Sequence, residues 1–282
     1  MEQTQKIHKN LEPYTEETKD LSDHEGNFEP HWRRCVQEMM NSMTKEVLEK
    51  YLGMHKPEIR VPCSQYLEYR LIKVLEDGGK YLGQWDKEMN ECEGQGMLVT
   101  PSDEVYQGSF SSGVPHGKGI YVFPDESTYQ GDVSNGELSG KGVLIRKDGS
   151  RCEGEWSNGN IHGFTELTFS NGNKQKGFFS NNRMHGYCKF ISSNGDYREG
   201  EMSNDSLHGY GYEILHSGDQ YFGGYWSGMK HGKGTAIKPD GQMCEGEWNC
   251  DEPSRGTFTD SKGREHKFNE ENNEDIFKRF FS

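Results

Sequence analysis

Histidine followed by glycine occurs five times in this chain, at His116, His162, His185, His208 and His231. A row of imidazoles is one way to build a zinc site. Such a site would also draw on carboxylates or thiolates in ligand spacing, and none recurs beside these dipeptides. The five histidines therefore read as structural residues that pack and hydrogen-bond locally, and no metal is expected. The carboxylate pairs Glu153/Glu155, Glu199/Glu201 and Glu245/Glu247 resemble the acid–base pairs of hydrolases. Each pair brackets a glycine in the same way, so a solvated acidic face accounts for all three. Cys35, Cys63, Cys92, Cys152, Cys188, Cys244 and Cys250 are odd in number and form no C-x-x-C pair, which fits reduced thiols in a cytosolic protein. No P-loop, dinucleotide fingerprint, kinase signature or nucleophile elbow is present, and Gly94-Gln-Gly96 opens no helical pattern. The chemistry-bearing residues thus point to no cofactor and no enzyme.

The elements that position these residues follow from a repeat. From Tyr106 onward a pattern returns every 23 residues, with units beginning at Tyr106, Tyr129, Cys152, Gln175, Arg198, Tyr221 and Cys244. An earlier unit begins at Tyr81, lengthened by a loop at Met89–Glu93. Each unit carries two turn signals, such as Asn135-Gly136 and Asp148-Gly149, which supply the positive φ of tight hairpin turns. Two turns in 23 residues leave two short strands, so each unit is predicted to be a β-hairpin. Alternation places Tyr221, Gly223 and Tyr225 on one face of the pleat, with the glycine leaving a gap for a neighbouring ring. Eight such hairpins make sixteen strands, a ribbon roughly 75 Å long at about 4.8 Å per strand.

Composition agrees with this arrangement. Glycine accounts for 36 of 282 residues, and only Gly26 and Gly53 precede residue 76. The hydrophobic fraction is 30%, low for a thick core, while 12% aromatics argue against disorder. The net charge of −14 excludes a broadly basic nucleic-acid surface. Residues 76–260 hold 28 acidic and 16 basic side chains, net −12, which also disfavours anionic lipid. The N-terminus has no apolar leader pattern, and no run reaches the ~20 apolar residues of a membrane span.

The pattern Y-x-G-x-W-x-x-G-x-x-H-G-x-G resembles the MORN repeat (membrane occupation and recognition nexus), with about eight copies. Departures are Phe178-Phe179 and Met202 near the Trp position, Ser139 at a His position, and Ser254-Arg255 in place of His-Gly. The resemblance implies an all-β repeat: an elongated, single-layer antiparallel β-hairpin ribbon. Residues 1–30 read as a polar, disordered tail. Residues 31–75 read as a helical N-terminal cap, with a helix over 31–52 from the spacing of Trp32, Val36, Met39, Met40, Met43, Val47 and Leu48, and with 64–76 leading in as a strand. The repeat domain spans 76–260, and 261–282 form a tail with a short amphipathic helix.

The resemblance also implies a non-enzymatic scaffold in a cytoskeletal or ciliary assembly, radial-spoke-like and cytoplasmic, whose partners are proteins. A partner helix or axonemal component would meet an extended aromatic groove made by Tyr81, Trp85, Tyr106, Phe110, Tyr129, Trp156, Phe179, Tyr221, Tyr225 and Trp248. Phospholipid attachment is the alternative that the family name suggests. A more remote one is a regulatory part of a lipid-kinase or methyltransferase system.

Overall fold

The computed structural model describes residues 39–41, 43–52, 67–269, 271 and 280. The polar tail, the start of the predicted N-terminal helix and most of the predicted C-terminal helix lie outside them. Each turn signal closes a hairpin, and successive hairpins pair in order. The strands are β1 (Leu67–Val74), β2 (Lys80–Asp86), β3 (Glu91–Val99), β4 (Val105–Ser111), β5 (Val114–Val122) and β6 (Thr128–Ser134). Then come β7 (Glu137–Ile145), β8 (Arg151–Ser157), β9 (Asn160–Thr168), β10 (Lys174–Ser180), β11 (Arg183–Ile191) and β12 (Tyr197–Ser203). The last are β13 (Ser206–Ile214), β14 (Gln220–Trp226), β15 (Met229–Ile237), β16 (Met243–Asn249), β17 (Glu252–Thr259) and β18 (Glu265–Phe268). Every strand is antiparallel to the next, giving one open sheet. The sixteen expected strands are β2–β17. β1 adds one at the N-terminal end, and β18 carries the sheet past residue 260, where only a tail was expected.

The two turn classes differ in a way that the dipeptides alone do not reveal. Asn135 and Gly136 both have positive φ, 51° and 80°, as a two-residue hairpin turn requires. At Asp148-Gly149 only the glycine does (85°), and the Asp148 carboxylate instead accepts the Ser150 N–H at 2.8 Å. Successive units are also zipped at their tips. The second turn residue donates its N–H to a carbonyl 21 positions earlier, as in Gly136 to Pro115, Gly159 to Leu138 and Gly228 to Leu207.

The second strand of most units is bulged. Gly108 pairs with Gly119, but Phe110 pairs with Pro115, so three residues face Ser109. Gly117 takes φ +90° there. A bulge bends its strand, and the conformation that it needs explains the glycine of the His-Gly dipeptide. The histidine is correspondingly turned outward. His116, His162, His185 and His231 are exposed, which corrects the expectation of packed rings, and His208 is half-buried.

One face of the sheet carries a continuous aromatic and apolar core from Tyr81 to Phe280. The other face is covered at its N-terminal end, where Met39, Met43 and Val47 pack on Leu82, Met97, Val99, Val105 and Val122. The segment expected to cover the open end of the ribbon thus lies across the outer face of β2–β5. It is not one helix over 31–52 either. A turn at Asn41 interrupts it, and α1 (Lys45–Leu52) starts anew with the Thr44 hydroxyl accepting the Val47 N–H at 3.4 Å. At the far end Phe280 is buried against Phe258, with ring centroids 6.1 Å apart.

Candidate functional site

The ten aromatics expected to meet a partner are all interior, between 0% and 6% exposed. Their geometry explains why. The leading tyrosine of a unit lies along its own strand, over the glycine two positions on and the glycine opposite it. Tyr129 covers the paired Gly131 and Gly142, and its hydroxyl donates to the Asp132 carbonyl at 2.7 Å. Tyr81, Tyr106 and Tyr221 repeat this, donating to Gln84, Ser109 and Gly224 at 2.6, 2.9 and 3.1 Å. The same ring meets the next unit edge-on: Tyr129 and Trp156 are 5.6 Å apart at 84°, Tyr221 and Trp248 5.3 Å at 83°. The rings therefore join repeat to repeat and cannot also be a free docking face. The gap at each glycine is filled by the unit's own tyrosine and not by a neighbour's.

Where the tyrosine is missing, the site opposite compensates. Cys152 stands in the tyrosine slot, and Thr165, fully buried, replaces the glycine that would face Gly154. Gln175 stands in the next slot, and Cys188, also fully buried, faces Gly177. The Cys152 thiol is pushed up to about 11 by burial, Cys92 to about 11 and Cys244 to about 12. They remain thiols at neutral pH, which suits packing and not nucleophilic attack.

The units of Arg198 and Cys244 instead retain their glycine pairs, Gly200 opposite Gly211 and Gly246 opposite Gly256, without a leading tyrosine. Over Gly200 and Gly211 lie Leu207 and the edge of the Tyr225 ring. Across β10–β14 one row runs Gln175, Phe190, Arg198, Glu213, Tyr221, and a second runs Met184, Met202, Leu207, Tyr225. Between them lies a cavity of about 350 Å³. The Arg198 Nε donates to Glu213 Oε1 at 2.6 Å along its edge. Tyr225, 5% exposed, also lines the cavity, while its hydroxyl is buried and has no hydrogen-bond partner among the described residues.

The outer face holds a second feature. Residues two places after each His-Gly histidine, and the residues paired with them across units, form a row. At Lys118 and Asp132, Lys141 and Glu155, and Lys233 and Glu247 these pairs are oppositely charged. In the intervening units the row holds Phe164 with Phe178, Tyr187 with Glu201, and Tyr210 with Gly224. Phe164 and Phe178 contact each other at 5.7 Å. Trp226 stands where the preceding units place Ser134, Ser157, Ser180 and Ser203; it is 56% exposed and packs on His208 at 4.4 Å. Tyr210 is 72% exposed and Phe222 48%. On the same face Glu199 receives hydrogen bonds from the Tyr187 and Tyr197 hydroxyls and from Lys189, which hold its carboxyl down to about 2.

Neither feature was anticipated from the sequence. The available signals were Gln175 and Arg198 in a tyrosine slot, and aromatics in slots that hold lysine or serine elsewhere. Among the described residues no group of three or more His, Cys, Asp or Glu side chains is placed to hold a metal ion, and no helix is long and apolar enough to cross a membrane.

Comparison with known proteins agrees with the repeat. The family model described as MORN repeat matches residues 106–128, 129–151, 152–174, 176–197, 199–220 and 221–243. Among curated proteins none matches the sequence. Two solved structures show a distant likeness. The SAS-4 (dCPAP) TCP domain of Drosophila melanogaster, in complex with a proline-rich motif of Ana2, is 6% identical over 61% of this chain and 87% of that one, with a TM-score of 0.35. A virginiamycin B lyase from Staphylococcus aureus is 12% identical over 74% and 86%, with a TM-score of 0.15.

Proposed function

Since this chain is a MORN-repeat protein, a class of protein- or membrane-interaction modules that are typically non-enzymatic, we propose that it is a scaffold docking another protein on the outer face of its later repeats. The observation that carries this reading is the exposed aromatic row of Phe164, Phe178, Tyr187 and Tyr210, with Phe222 and Trp226 beside it. Exposed aromatics replace charged pairs and serines only in these units, and tryptophan and tyrosine anchor protein interfaces because they bury much area at little conformational cost. The N-terminal repeats cannot offer the same face, because Met39, Met43 and Val47 already cover it. The face is rich in carboxylates, with Glu153, Glu155, Glu166, Glu199, Glu201, Glu245 and Glu247, which favours a protein over an anionic bilayer.

The proposal includes absence of catalysis and a cytoplasmic, cytoskeletal or ciliary setting, which rests on the family resemblance and is tested by imaging a tagged copy. The docking surface is tested by crosslinking in native extract with the intact chain and with the double variant Trp226→Ser, Tyr210→Ser. One crosslinked protein lost in the variant, at unchanged melting temperature, is expected. Unchanged crosslinking, or flotation of the intact chain with phosphatidylserine liposomes that the variant loses, would overturn it.

A further inference from the structure

The outer face of β13 and β14 carries the exposed rings of Tyr210, Phe222 and Trp226, and, granted the docking proposed above, its chemistry names what the partner presents. Alternation puts Tyr210 and Tyr212 of β13 on the same side of the sheet as Phe222 and Trp226 of β14, with Tyr212 opposite Phe222 and Tyr210 opposite Gly224. Gly224 stands where other units hold Asp132, Glu155, Phe178, Glu201 and Glu247. A side chain there would meet the His231 carbonyl oxygen, which lies 2.2 Å from the place of its Cβ. The middle of the patch is therefore bare backbone with an acceptor oxygen over it. Tyr210 stands opposite, and Phe222 and Trp226 stand two residues to either side along the strand.

The charges around the patch are of one sign. On the outer face of β12–β16 there are four carboxylates, Glu199 and Glu201 on one flank and Glu245 and Glu247 on the other, against one lysine, Lys233. Adjoining strands neutralise two of the four: Lys189 pairs with Glu199 at 2.9 Å and Arg255 with Glu247 at 2.8 Å. Glu201 and Glu245 are exposed and have no ion-pair partner among the described residues. Four strand spacings of about 4.8 Å separate the flanks, a span that an extended segment of about six residues covers. An earlier hairpin uses the same combination within the chain. There the Lys176 ammonium lies 5.7 Å from the centre of the Phe164 ring and pairs with Glu166. In β14 the place of Lys176 is taken by Phe222, and neither β13 nor β14 brings a lysine or arginine to this face.

Other occupants fit less well. An acidic segment would meet four carboxylates. A purely apolar one would take water from Glu201 and Glu245 and return no partner, which is costly. A guanidinium is flat, stacks on aromatic faces and has five donors for carbonyl and carboxylate oxygens, whereas a lysine ammonium is a compact, strongly hydrated charge. We infer that the partner's docking segment is basic and extended. It crosses β13 and β14 with an arginine over Gly224, the guanidinium among the rings of Tyr210, Phe222 and Trp226, and with further arginines reaching Glu201 and Glu245.

The probe is a fluorescein-labelled octapeptide of alternating arginine and serine, titrated with the full chain and read by anisotropy. Saturable binding is expected. It should be about tenfold weaker when citrulline, the neutral isostere, replaces arginine, about threefold weaker with lysine, and absent with glutamate. Glu201→Gln with Glu245→Gln, and separately Trp226→Ser with Tyr210→Ser, should each weaken the arginine peptide about fivefold. Glu88→Gln with Glu137→Gln removes the same charge from the N-terminal repeats and should leave binding unchanged, which separates the site from the overall acidity of the chain. Every substituted position is exposed, so the variants are expected to melt with the intact chain. The basic segment is overturned if the arginine peptide does not bind, if the citrulline or lysine peptide binds as tightly, if either pair on the patch is replaced without loss, or if Glu88→Gln with Glu137→Gln weakens binding as much. It also fails separately from the docking reading: a crosslinked partner lost in Trp226→Ser, Tyr210→Ser yet kept in Glu201→Gln, Glu245→Gln upholds docking on this face and removes the basic segment.

Discussion

Replacing Gly142 by threonine tests the interlock of tyrosine and glycine that builds this ribbon. A Cβ at position 142 would lie 2.2 Å from the Tyr129 hydroxyl and 2.3 and 2.4 Å from two ring carbons, well inside contact distance. Tyr129 is fully buried and donates to the Asp132 carbonyl at 2.7 Å, with the Ser139 carbonyl at 3.2 Å, so it cannot swing aside without losing those bonds. Overpacking costs about 1–3 kcal/mol and the lost hydrogen bond about 0.5–1.5 kcal/mol. Removing a flexible glycine from the unfolded chain returns about 0.4–1 kcal/mol. The expected loss is therefore roughly 0.5–4 kcal/mol and centred a little above 2, about a 0.8 M fall in urea midpoint for a slope of about 3 kcal/mol/M.

The molecule itself contains the compensated pair, Cys152 with Thr165, one repeat further on. Tyr129→Cys alone should cost about 3 kcal/mol by leaving a void. The double variant Tyr129→Cys, Gly142→Thr should lose about 1–3 kcal/mol less than the sum of the single losses, as expected of residues in contact. Urea titration followed by tryptophan fluorescence suits the measurement, because Trp156, one of five tryptophans, has its ring 5.6 Å from that of Tyr129. Gly149→Ala is the control: its added Cβ meets nothing within 4 Å, so only the φ of +85° opposes it, at about 1 kcal/mol. The reasoning fails if Gly142→Thr leaves the midpoint where it was, or if the double-variant cycle is additive.

Three further outcomes are expected. Thr165→Val removes a buried hydroxyl that has no partner among the described residues, and should raise stability by about 1 kcal/mol; a lower melting temperature would count against it. Glu199, whose carboxyl is held down to about 2 by hydrogen bonds from Tyr187, Tyr197 and Lys189, stabilises the fold above the ordinary glutamate value of 4.5 and loses that contribution as pH falls toward 2. The difference in melting temperature between the intact chain and Glu199→Gln should accordingly be present at pH 7, shrink below about pH 4.5 and vanish near pH 2; a difference that grows on acidification would refute the assignment. Iodoacetamide at pH 8 should modify exposed Cys250 while Cys92, Cys152, Cys188 and Cys244 stay unlabelled in the folded chain, as read by peptide mass spectrometry.

The sequence by itself determined the hairpin, its length and its order. Asn-Gly and Asp-Gly at fixed offsets are local signals, because a positive φ depends on the residue that adopts it and hardly on its surroundings. A period kept from Tyr106 to Cys244 therefore specified a stack of hairpins before any contact was known. Tertiary structure decided which groups are free. Tyr106 and Trp226 are both aromatics on short strands, yet one is buried and the other exposed, because they point to opposite faces of the pleat and the continuous core lies on one of them. The cavity at Arg198 is likewise a tertiary feature. Its walls come from Met184, Met202, Leu207 and Tyr225, which four different strands bring together and which no local stretch of sequence places side by side.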